Sequence, residues 1–242
     1  LKSNKIQSFR LDSEILLSEI LKKDRQEILQ NLNQNIYKDQ ILKYSELIDR
    51  RSGHEPVAYI LNKKEFWSKF FYVNTDTLIP RPETELMVDQ LIKKYKNKEN
   101  ISILDVGTGS GCIIISLLSE LSNSYGVGID ISSKAIEISK KNAIKHGVEN
   151  KIKFFHTSLS QYFNKKFDLV VSNPPYVKRR EIQNLSDDIK KYEPRIALDG
   201  GNDGLDLIKK VIYKTNEILK LNGTLALEIG NKQFKEVSKH IK

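Results

Sequence analysis

Cysteine and long apolar runs are scarce in this 242-residue sequence. Its single cysteine, Cys112, can form no internal disulfide and no cysteine-based metal cage. The four histidines, at positions 54, 146, 156 and 240, follow no metal-ligand spacing, so we predict no metal site. No apolar run is long enough to cross a bilayer, and residues 1–20 mix charges among apolar positions, unlike a secretory signal. These absences predict a protein without a membrane span that works in a reducing cytoplasm.

The chain is strongly basic, with a net charge of +9 and a pI of about 9.3. Such a charge would suit nucleic acid or the ribosome, because Lys and Arg release counterions from phosphate. The lysines are spread along the whole chain, however, which favours solvated helix faces over an RNA-binding groove. We therefore expect no stable nucleic-acid binding. The run Lys178-Arg179-Arg180 is the better candidate for contact with an acidic partner.

Hydrophobic periodicity divides the chain into three segments. In residues 1–63 apolar residues recur at helical spacing, as at Leu16 and Ile20, which predicts a small helical bundle. Residues 64–82 are rich in aromatic and β-branched side chains, which suggests a linking β-hairpin. In residues 83–242, short apolar runs alternate with helical segments. Continuous apolar strands separated by helices predict an α/β fold with a doubly wound, mainly parallel sheet.

A glycine-rich loop, residues 105–111 (DVGTGSG), follows the first of these strands and opens directly into a helix. Glycines let the backbone approach a ligand closely, and the helix start offers free N–H groups. Asp130 ends the next strand 19 residues after Gly111, near the interval of about 20 residues typical of a ribose-binding carboxylate. The alternative is that the glycine turn serves packing alone and binds no ligand, with Asp130 capping the next helix. A dinucleotide fingerprint would need glycine where this chain has Cys112.

The motif Asn173-Pro174-Pro175-Tyr176 follows the fourth apolar strand. An amide or ring amine is a poor nucleophile unless its N–H groups are held and its lone pair is aimed at the methyl donor. The Asn173 side-chain carbonyl and the rigidly held Pro174 carbonyl could each accept one N–H. Tyr176 could lie against the planar substrate group. The alternative is a proline-rich turn in which Asn173 caps the backbone locally.

The chain resembles the release-factor glutamine methyltransferases, the HemK or PrmC family, over nearly its whole length. The Asn-Pro-Pro-Tyr motif alone is shared with DNA and RNA amine methyltransferases, whereas the arginine-proline segment and the helical N-terminal domain are specific. The similar stretches are Glu65 to Trp67, Leu78 to Glu85, Asp105 to Gly111, Asn173 to Tyr176, Glu193-Pro194, Ala197-Leu198, Gly201, Asp203 to Leu205 and Glu228 to Gly230.

The resemblance implies a class I methyltransferase fold that uses S-adenosylmethionine. It implies methyl transfer to the glutamine of the Gly-Gly-Gln loop in class I peptide-chain release factors, with the helical domain binding that substrate. Asn173 and Pro174 would be catalytic, and Pro175 and Tyr176 would join them in binding substrate. The residues expected at the cofactor are Arg81, Gly107, Thr108, Gly109, Ser110, Gly111, Asp130, Ile131, Ser158, Leu159 and Asn173.

Three features depart from the family pattern or leave a choice open. Ser158 stands where the family commonly has an acidic residue beside the adenine, so adenine contacts could be weaker or made by the backbone. Arg81 could lie near the cofactor pocket or instead form an ion pair with Glu83 or Glu85. The chain lacks an initial methionine and stops soon after the fifth strand, so we expect a fragment of a longer protein.

Two other functions are compatible with the same motifs. The first is an RNA or DNA exocyclic-amine methyltransferase, which the same motif would serve and the basic charge favours. The second is a non-catalytic adaptor for translation factors that keeps the S-adenosylmethionine pocket, although intact Asn173 and Tyr176 argue against it.

Overall fold

The computed structural model describes residues 1–162 and 165–241 of the chain. Its described residues divide into two compact units. The smaller unit comprises residues 1–63 together with 186–192, and the larger unit comprises the remainder. Three residues of the range 83–242, predicted for the α/β domain, lie outside the described ones: Phe163, Asn164 and Lys242.

Strands begin only after a purely helical first segment. The helices are α1 (Phe9–Leu21), α2 (Arg25–Gln30), α3 (Lys38–Ser52), α4 (Val57–Ile60), α5 (Thr84–Tyr95), α6 (Cys112–Glu120), α7 (Ser133–Lys145), α8 (Asp187–Tyr192), α9 (Asp206–Ile218) and α10 (Phe234–Ser238). The strands are β1 (Lys64–Phe66), β2 (Lys69–Phe71), β3 (Ser102–Val106), β4 (Tyr125–Asp130), β5 (Ile152–His156), β6 (Phe167–Ser172) and β7 (Leu219–Leu227).

A buried ion pair joins two helices of the smaller unit. Arg51 Nε on α3 lies 2.7 Å from Asp12 Oδ2 on α1, and both side chains are less than a tenth exposed. Ser8 Oγ donates a second hydrogen bond to the same Asp12 oxygen at 2.8 Å. Removing one partner would leave the other charge buried and uncompensated. The pair therefore ties the packing of α1 to that of α3.

The larger unit is built on one sheet in the order β5-β4-β3-β6-β7, in which neighbouring strands are parallel. Successive residues of a strand face opposite sides of the sheet. Thus Ile103 and Leu169 pack in one hydrophobic cluster, with residues of α5 and α6. Leu104 and Val170 pack in another, with Val211 of α9. Helices cover both faces, which confirms the predicted doubly wound parallel sheet.

Four strands end side by side at one edge of this sheet. In the register of the strands, Val106 of β3 lies opposite both Ile129 of β4 and Ser172 of β6. Ser172 in turn lies opposite Leu227 of β7. Residues that directly follow these strands therefore leave the sheet close together, at the edge where open α/β sheets bind ligands.

The antiparallel hairpin of β1 and β2 is shorter than the predicted segment 64–82, because pairing ends at Phe71. Its two-residue turn places Trp67 and Ser68 at positive φ, 52° and 54°, as the right-handed twist of a tight hairpin requires. The next residue, Tyr72, turns its backbone to the Asn142 side chain instead of to a strand. That contact gives the physical reason why the ladder stops.

The fully buried Asn142 side chain on α7 links the hairpin segment to the glycine-rich loop. Its Oδ1 accepts a hydrogen bond from Tyr72 N at 2.8 Å. Its Nδ2 donates to Tyr72 O at 3.0 Å and to Ser110 O at 2.9 Å. One amide thus satisfies three backbone groups from two segments that are distant in sequence.

Replacing Asn142 with Ala should lower the free energy of unfolding by about 3 kcal/mol, because three buried backbone groups lose their partner. Urea denaturation followed by the fluorescence of the single tryptophan, Trp67, measures this change. Lys140→Ala, an exposed substitution on the same helix, should change stability by less than about 0.5 kcal/mol. Equal stabilities for the two variants would contradict the role given to Asn142.

Candidate functional site

The glycine-rich loop turns back from the end of β3 to the start of α6. Gly107 N and Thr108 N donate to Ile129 O at 2.9 Å and 3.0 Å, which holds the loop against β4. Gly107 has a φ of 73°, and, apart from its two chain neighbours, no described residue has an atom within 4 Å of the place where a Cβ would stand. The open space above this residue is where a ligand can approach the backbone.

Gly111 serves the packing of the loop instead. It is the residue before α6 and has a φ of 80°. A Cβ at this position would lie 2.8 Å from Ile115 Cδ1 and 3.1 Å from Ser139 Cβ. Gly111 therefore allows α6 and α7 to approach the loop, and it does not line the cleft described below.

Asp130, the last residue of β4, lies beside this loop. Its Oδ2 accepts a hydrogen bond from Gly109 N, and its Oδ1 accepts one from Ser132 N, both at 2.9 Å. Burial raises the pKa of this carboxyl, and the backbone N–H groups oppose that effect. Each oxygen has a further lone pair. The predicted ribose-binding carboxylate is therefore fixed in place while it can still accept from hydroxyl groups.

A cleft runs along the sheet edge in two adjoining parts, with volumes of about 350 Å³ and 470 Å³. Both volumes lie within the usual range for small-molecule sites. The parts share Gly107, Asp130, Ile131, Leu207 and Lys210. Of the predicted cofactor residues, Thr108, Gly109, Ser110 and Asn173 line the first part, and Ser158 and Leu159 line the second.

Arg81 does not line this cleft. Its Nη2 lies 2.7 Å from Oε1 of Glu193, which is only 5% exposed. Among the described residues it forms an ion pair with neither Glu83 nor Glu85. Glu85 instead accepts a hydrogen bond from Trp67 N at 3.0 Å. Glu193 thus compensates the charge of Arg81. The ion pair also joins the segment before α5 to the segment after α8.

The Asn-Pro-Pro-Tyr motif reaches the same cleft from the neighbouring strand β6. Asn173 and Pro175 line its first part, together with Gly107 and Asp130. The Pro174 carbonyl accepts no hydrogen bond from the residues that the structure describes. The sheet edge therefore brings Asn173 to the predicted cofactor loop, whereas Pro174 and Tyr176 are not among the residues that line either part of the cleft.

Two residues at this site were missed by sequence reasoning. Asn173 Nδ2 donates to Thr84 Oγ1 at 3.3 Å, and Thr84 Oγ1 donates to Glu228 Oε2 at 2.5 Å. Burial raises the pKa of Glu228, and hydrogen bonds from Thr84 and Asn173 lower it. Glu228 follows β7 directly, so its place after a neighbouring strand was a usable signal. Thr84 lies in the stretch Leu78 to Glu85 that resembles the family, but nothing in the sequence pointed to its contact with Asn173.

The Asp105 carboxyl lies beneath the loop and is fully buried. Thr108 Oγ1 donates to its Oδ2 at 2.8 Å, while Oδ1 has no partner among the described residues. Burial raises the pKa of Asp105 to about 7, and the nearby charge of Asp130 adds to this effect. A positive charge bound nearby would favour the ionised form of this carboxyl.

Two of the three charges in the basic run have partners inside the chain. Arg179 Nε lies 2.9 Å from Asp199 Oδ2, and Lys178 Nζ lies 3.8 Å from Glu181 Oε1. Much of the positive charge predicted to meet an acidic partner is thus compensated locally.

No group of three or more His, Cys, Asp or Glu side chains in the described part of the chain could hold a metal ion. Among the helices that the structure describes, none has both the length and the hydrophobicity that a membrane span needs.

Two stretches of the chain match known family models. Residues 82–192 match the methyltransferase small domain, and residues 1–61 match the PrmC N-terminal domain. The release factor glutamine methyltransferase of Clostridium botulinum is 40% identical, over 98% of this chain and 85% of its own length. That of Buchnera aphidicola is 44% identical, over 93% of this chain and 80% of its own length.

Other relatives are longer proteins or share only the fold. The bifunctional methyltransferase of Rickettsia typhi is 39% identical over 94% of this chain, which spans about half (48%) of that protein. A solved methyltransferase from Pyrococcus furiosus superposes with a TM-score of 0.51 at 15% identity. The match covers 70% of this chain and 75% of that structure, and it is a likeness of fold alone.

Gly111→Ala should destabilise the protein by roughly 2 kcal/mol more than Gly147→Ala, because both glycines have positive φ but only Gly111 has close neighbours. Urea denaturation of the two variants measures this difference. If the two variants were equally stable and Gly111→Ala affected only ligand binding, Gly111 would be a binding residue after all.

Proposed function

We propose a substrate from one premise: this chain belongs to the family of release factor glutamine methyltransferases. The substrate is the glutamine of the Gly-Gly-Gln loop in class I peptide-chain release factors, methylated on its side-chain amide nitrogen. The observation that carries the proposal is that Asn173 and Pro175 line the same cleft as Gly107 and Asp130. One acceptor for an amide nitrogen, the Asn173 side chain, thus shares one space with the cofactor loop.

The methyl donor is S-adenosylmethionine, which supplies an electrophilic methyl group on a sulfonium. The cleft suits this cofactor on three counts. Gly107 leaves open space at the loop, Asp130 has lone pairs for ribose hydroxyls, and the buried Asp105 carboxyl favours a cation. Ile131, Ser158 and Leu159 extend the lining toward the adenine end in this proposal.

Asn173 and Pro174 then prepare the amide nitrogen for attack. The Asn173 side-chain oxygen and the Pro174 carbonyl each accept one N–H of the glutamine amide, which aims the nitrogen lone pair at the methyl group. Pro175 and Tyr176 contact the flat face of the amide. Alignment supplies much of the rate enhancement in this arrangement, and the released proton passes to water.

The remaining assignments follow from the same proposal. The helical domain, residues 1–63, helps to bind the release factor, the hairpin segment 64–82 links the domains, and residues 83–242 carry the transfer reaction. The protein works in the cytoplasm, where it meets release factors. The basic charge and the shared Asn-Pro-Pro-Tyr motif keep nucleic-acid amine methylation as the alternative.

Transfer of a labelled methyl group to a purified release factor tests the substrate. The reaction is run beside the same factor with its loop glutamine changed to alanine and beside total RNA. Label on the intact factor alone supports the proposal. Label on RNA alone overturns it in favour of nucleic-acid methylation, and the absence of label from every sample argues for an adaptor.

Asn173→Ala should lower kcat for the release factor by at least about 100-fold, because the substrate nitrogen loses one acceptor and its alignment. The Kd for S-adenosylmethionine, measured by calorimetry, should change by less than about threefold. Asn150→Ala, an exposed substitution in the same unit, is the control and should leave kcat unchanged. Full activity of Asn173→Ala would exclude the mechanism proposed here.

Binding of S-adenosylmethionine should tighten as the pH rises toward 7, because a cation favours the ionised form of Asp105, whose pKa is about 7. As the pH rises toward 7, the Kd should fall by up to roughly tenfold per pH unit, and above pH 7 it should level off. Asp105→Asn should lose this dependence. Calorimetry between pH 5.5 and 8.5 checks both proteins, and equal slopes would exclude Asp105 as the cause.

A further inference from the structure

Three side chains meet at the end of the sheet where the substrate nitrogen is proposed to bind. Asn173 follows β6, and Glu228 follows β7. Glu228 N donates to Ser172 O at 3.0 Å, which continues the strand pairing by one residue. Thr84, the first residue of α5, is only 2% exposed and lies between them. Two neighbouring strand ends and one helix start thus define the position of the Asn173 side chain.

The hydrogen bonds among these side chains run in one direction. An ionised carboxylate can only accept, so the Thr84 hydroxyl donates its single proton to Glu228 Oε2. The Thr84 oxygen is then left with lone pairs only, and it accepts from the Asn173 side-chain amide. The NH₂ end of Asn173 therefore faces Thr84, and its carbonyl end faces away from this pair.

This direction matters because the two ends of an asparagine amide are similar in shape but opposite in hydrogen bonding. With the carbonyl toward the cleft, Asn173 can accept an N–H from a substrate amide. With the amide reversed, it would present N–H groups to the N–H groups of the substrate and repel them. Unaided, a partly buried asparagine side chain could adopt either orientation.

We propose that Glu228 and Thr84 are positioning residues that fix the amide orientation of Asn173, so that its oxygen accepts the N–H of the substrate nitrogen. This inference rests on the proposed function, because it concerns the same nitrogen. It gives a role to Thr84, at the start of α5, and to Glu228, neither of which is among the residues predicted to touch cofactor or substrate. Glu228 acts here as an acceptor for Thr84 and Asn173.

Burial supports the strength of this arrangement. Hydrogen bonds to a charged group are stronger than those between neutral groups, and they strengthen further away from water. Burial raises the pKa of the partly buried Glu228, and its hydrogen bonds with Thr84 and Asn173 oppose that effect by favouring its charged form. The Tyr176 side chain also lies near this carboxylate, which raises the pKa of the Tyr176 hydroxyl in addition to the effect of burial.

Four variants test the direction of the hydrogen bonds. Glu228→Gln keeps the shape but adds a donor, and Thr84→Val keeps the shape but removes the hydroxyl. Each should lower kcat by roughly 10- to 100-fold, while the Kd for S-adenosylmethionine changes by less than about threefold. Thr84→Ser keeps the hydroxyl and should stay within about threefold of the natural kcat. The double variant Glu228→Gln/Thr84→Val should lose little more than either single variant, because both act on Asn173.

Glu149→Gln, an exposed change outside this cluster, is the matched control. Natural kcat in Glu228→Gln, or equal loss in Thr84→Ser and Thr84→Val, would overturn the inference. If the natural protein methylates RNA and not a release factor, the proposed substrate is wrong, and the same variants are compared on RNA.

A second measurement needs no substrate. In ¹⁵N-labelled protein, the side-chain NH₂ signals of Asn173, identified by their loss in Asn173→Asp, should exchange slowly with solvent. Their exchange should be markedly faster in Thr84→Val, and its rate should be unchanged in Thr84→Ser. Identical exchange in all three proteins would contradict the contact between Thr84 and Asn173, whatever the substrate is.

Discussion

The parallel register of the five strands is the constraint on which the rest of the larger unit depends. Because β3, β4, β6 and β7 end opposite one another, the residues that follow them share one edge of the sheet. Gly107 and Asp130 meet there with Asn173 and Glu228. These residues are far apart along the chain, yet each needs only to lie at the end of its strand, as Asp130 does, or directly after it, as the other three do. Backbone hydrogen bonds between the strands thus place the residues of the site next to one another.

Polar side chains from outside the sheet then hold the loops at that edge. The Asn142 amide binds backbone groups of Tyr72 and Ser110, and Arg81 pairs with a nearly buried Glu193. A buried polar group is costly without a partner. Arrangements of the loops that lack these contacts are therefore disfavoured, because they would leave a buried polar group without its partner.

Much of the fold could be predicted because apolar strands and helical periodicity are local signals. The sheet class, the family and S-adenosylmethionine as cofactor are confirmed by the topology and the relatives. The hairpin was predicted too long, since composition could not show that Asn142 would take over the backbone of Tyr72. The cofactor and substrate roles of individual residues stay predictions. Gly111 and Arg81 are not among the residues that line the described cleft, although their chain neighbours Ser110, Cys112 and Pro80 are.

The amino-acid sequence by itself determined where strands and helices alternate, where the loop of glycines lies, and which motif follows β6, because these depend on neighbours along the chain. Only the tertiary structure decided that Glu193 pairs with Arg81, and that Thr84 and Glu228 bind Asn173. Thr84 and Glu228 are 144 positions apart, and no spacing rule relates residues at that distance. Their contact exists because separate elements end at one place, and that place is set by the packing of the whole sheet.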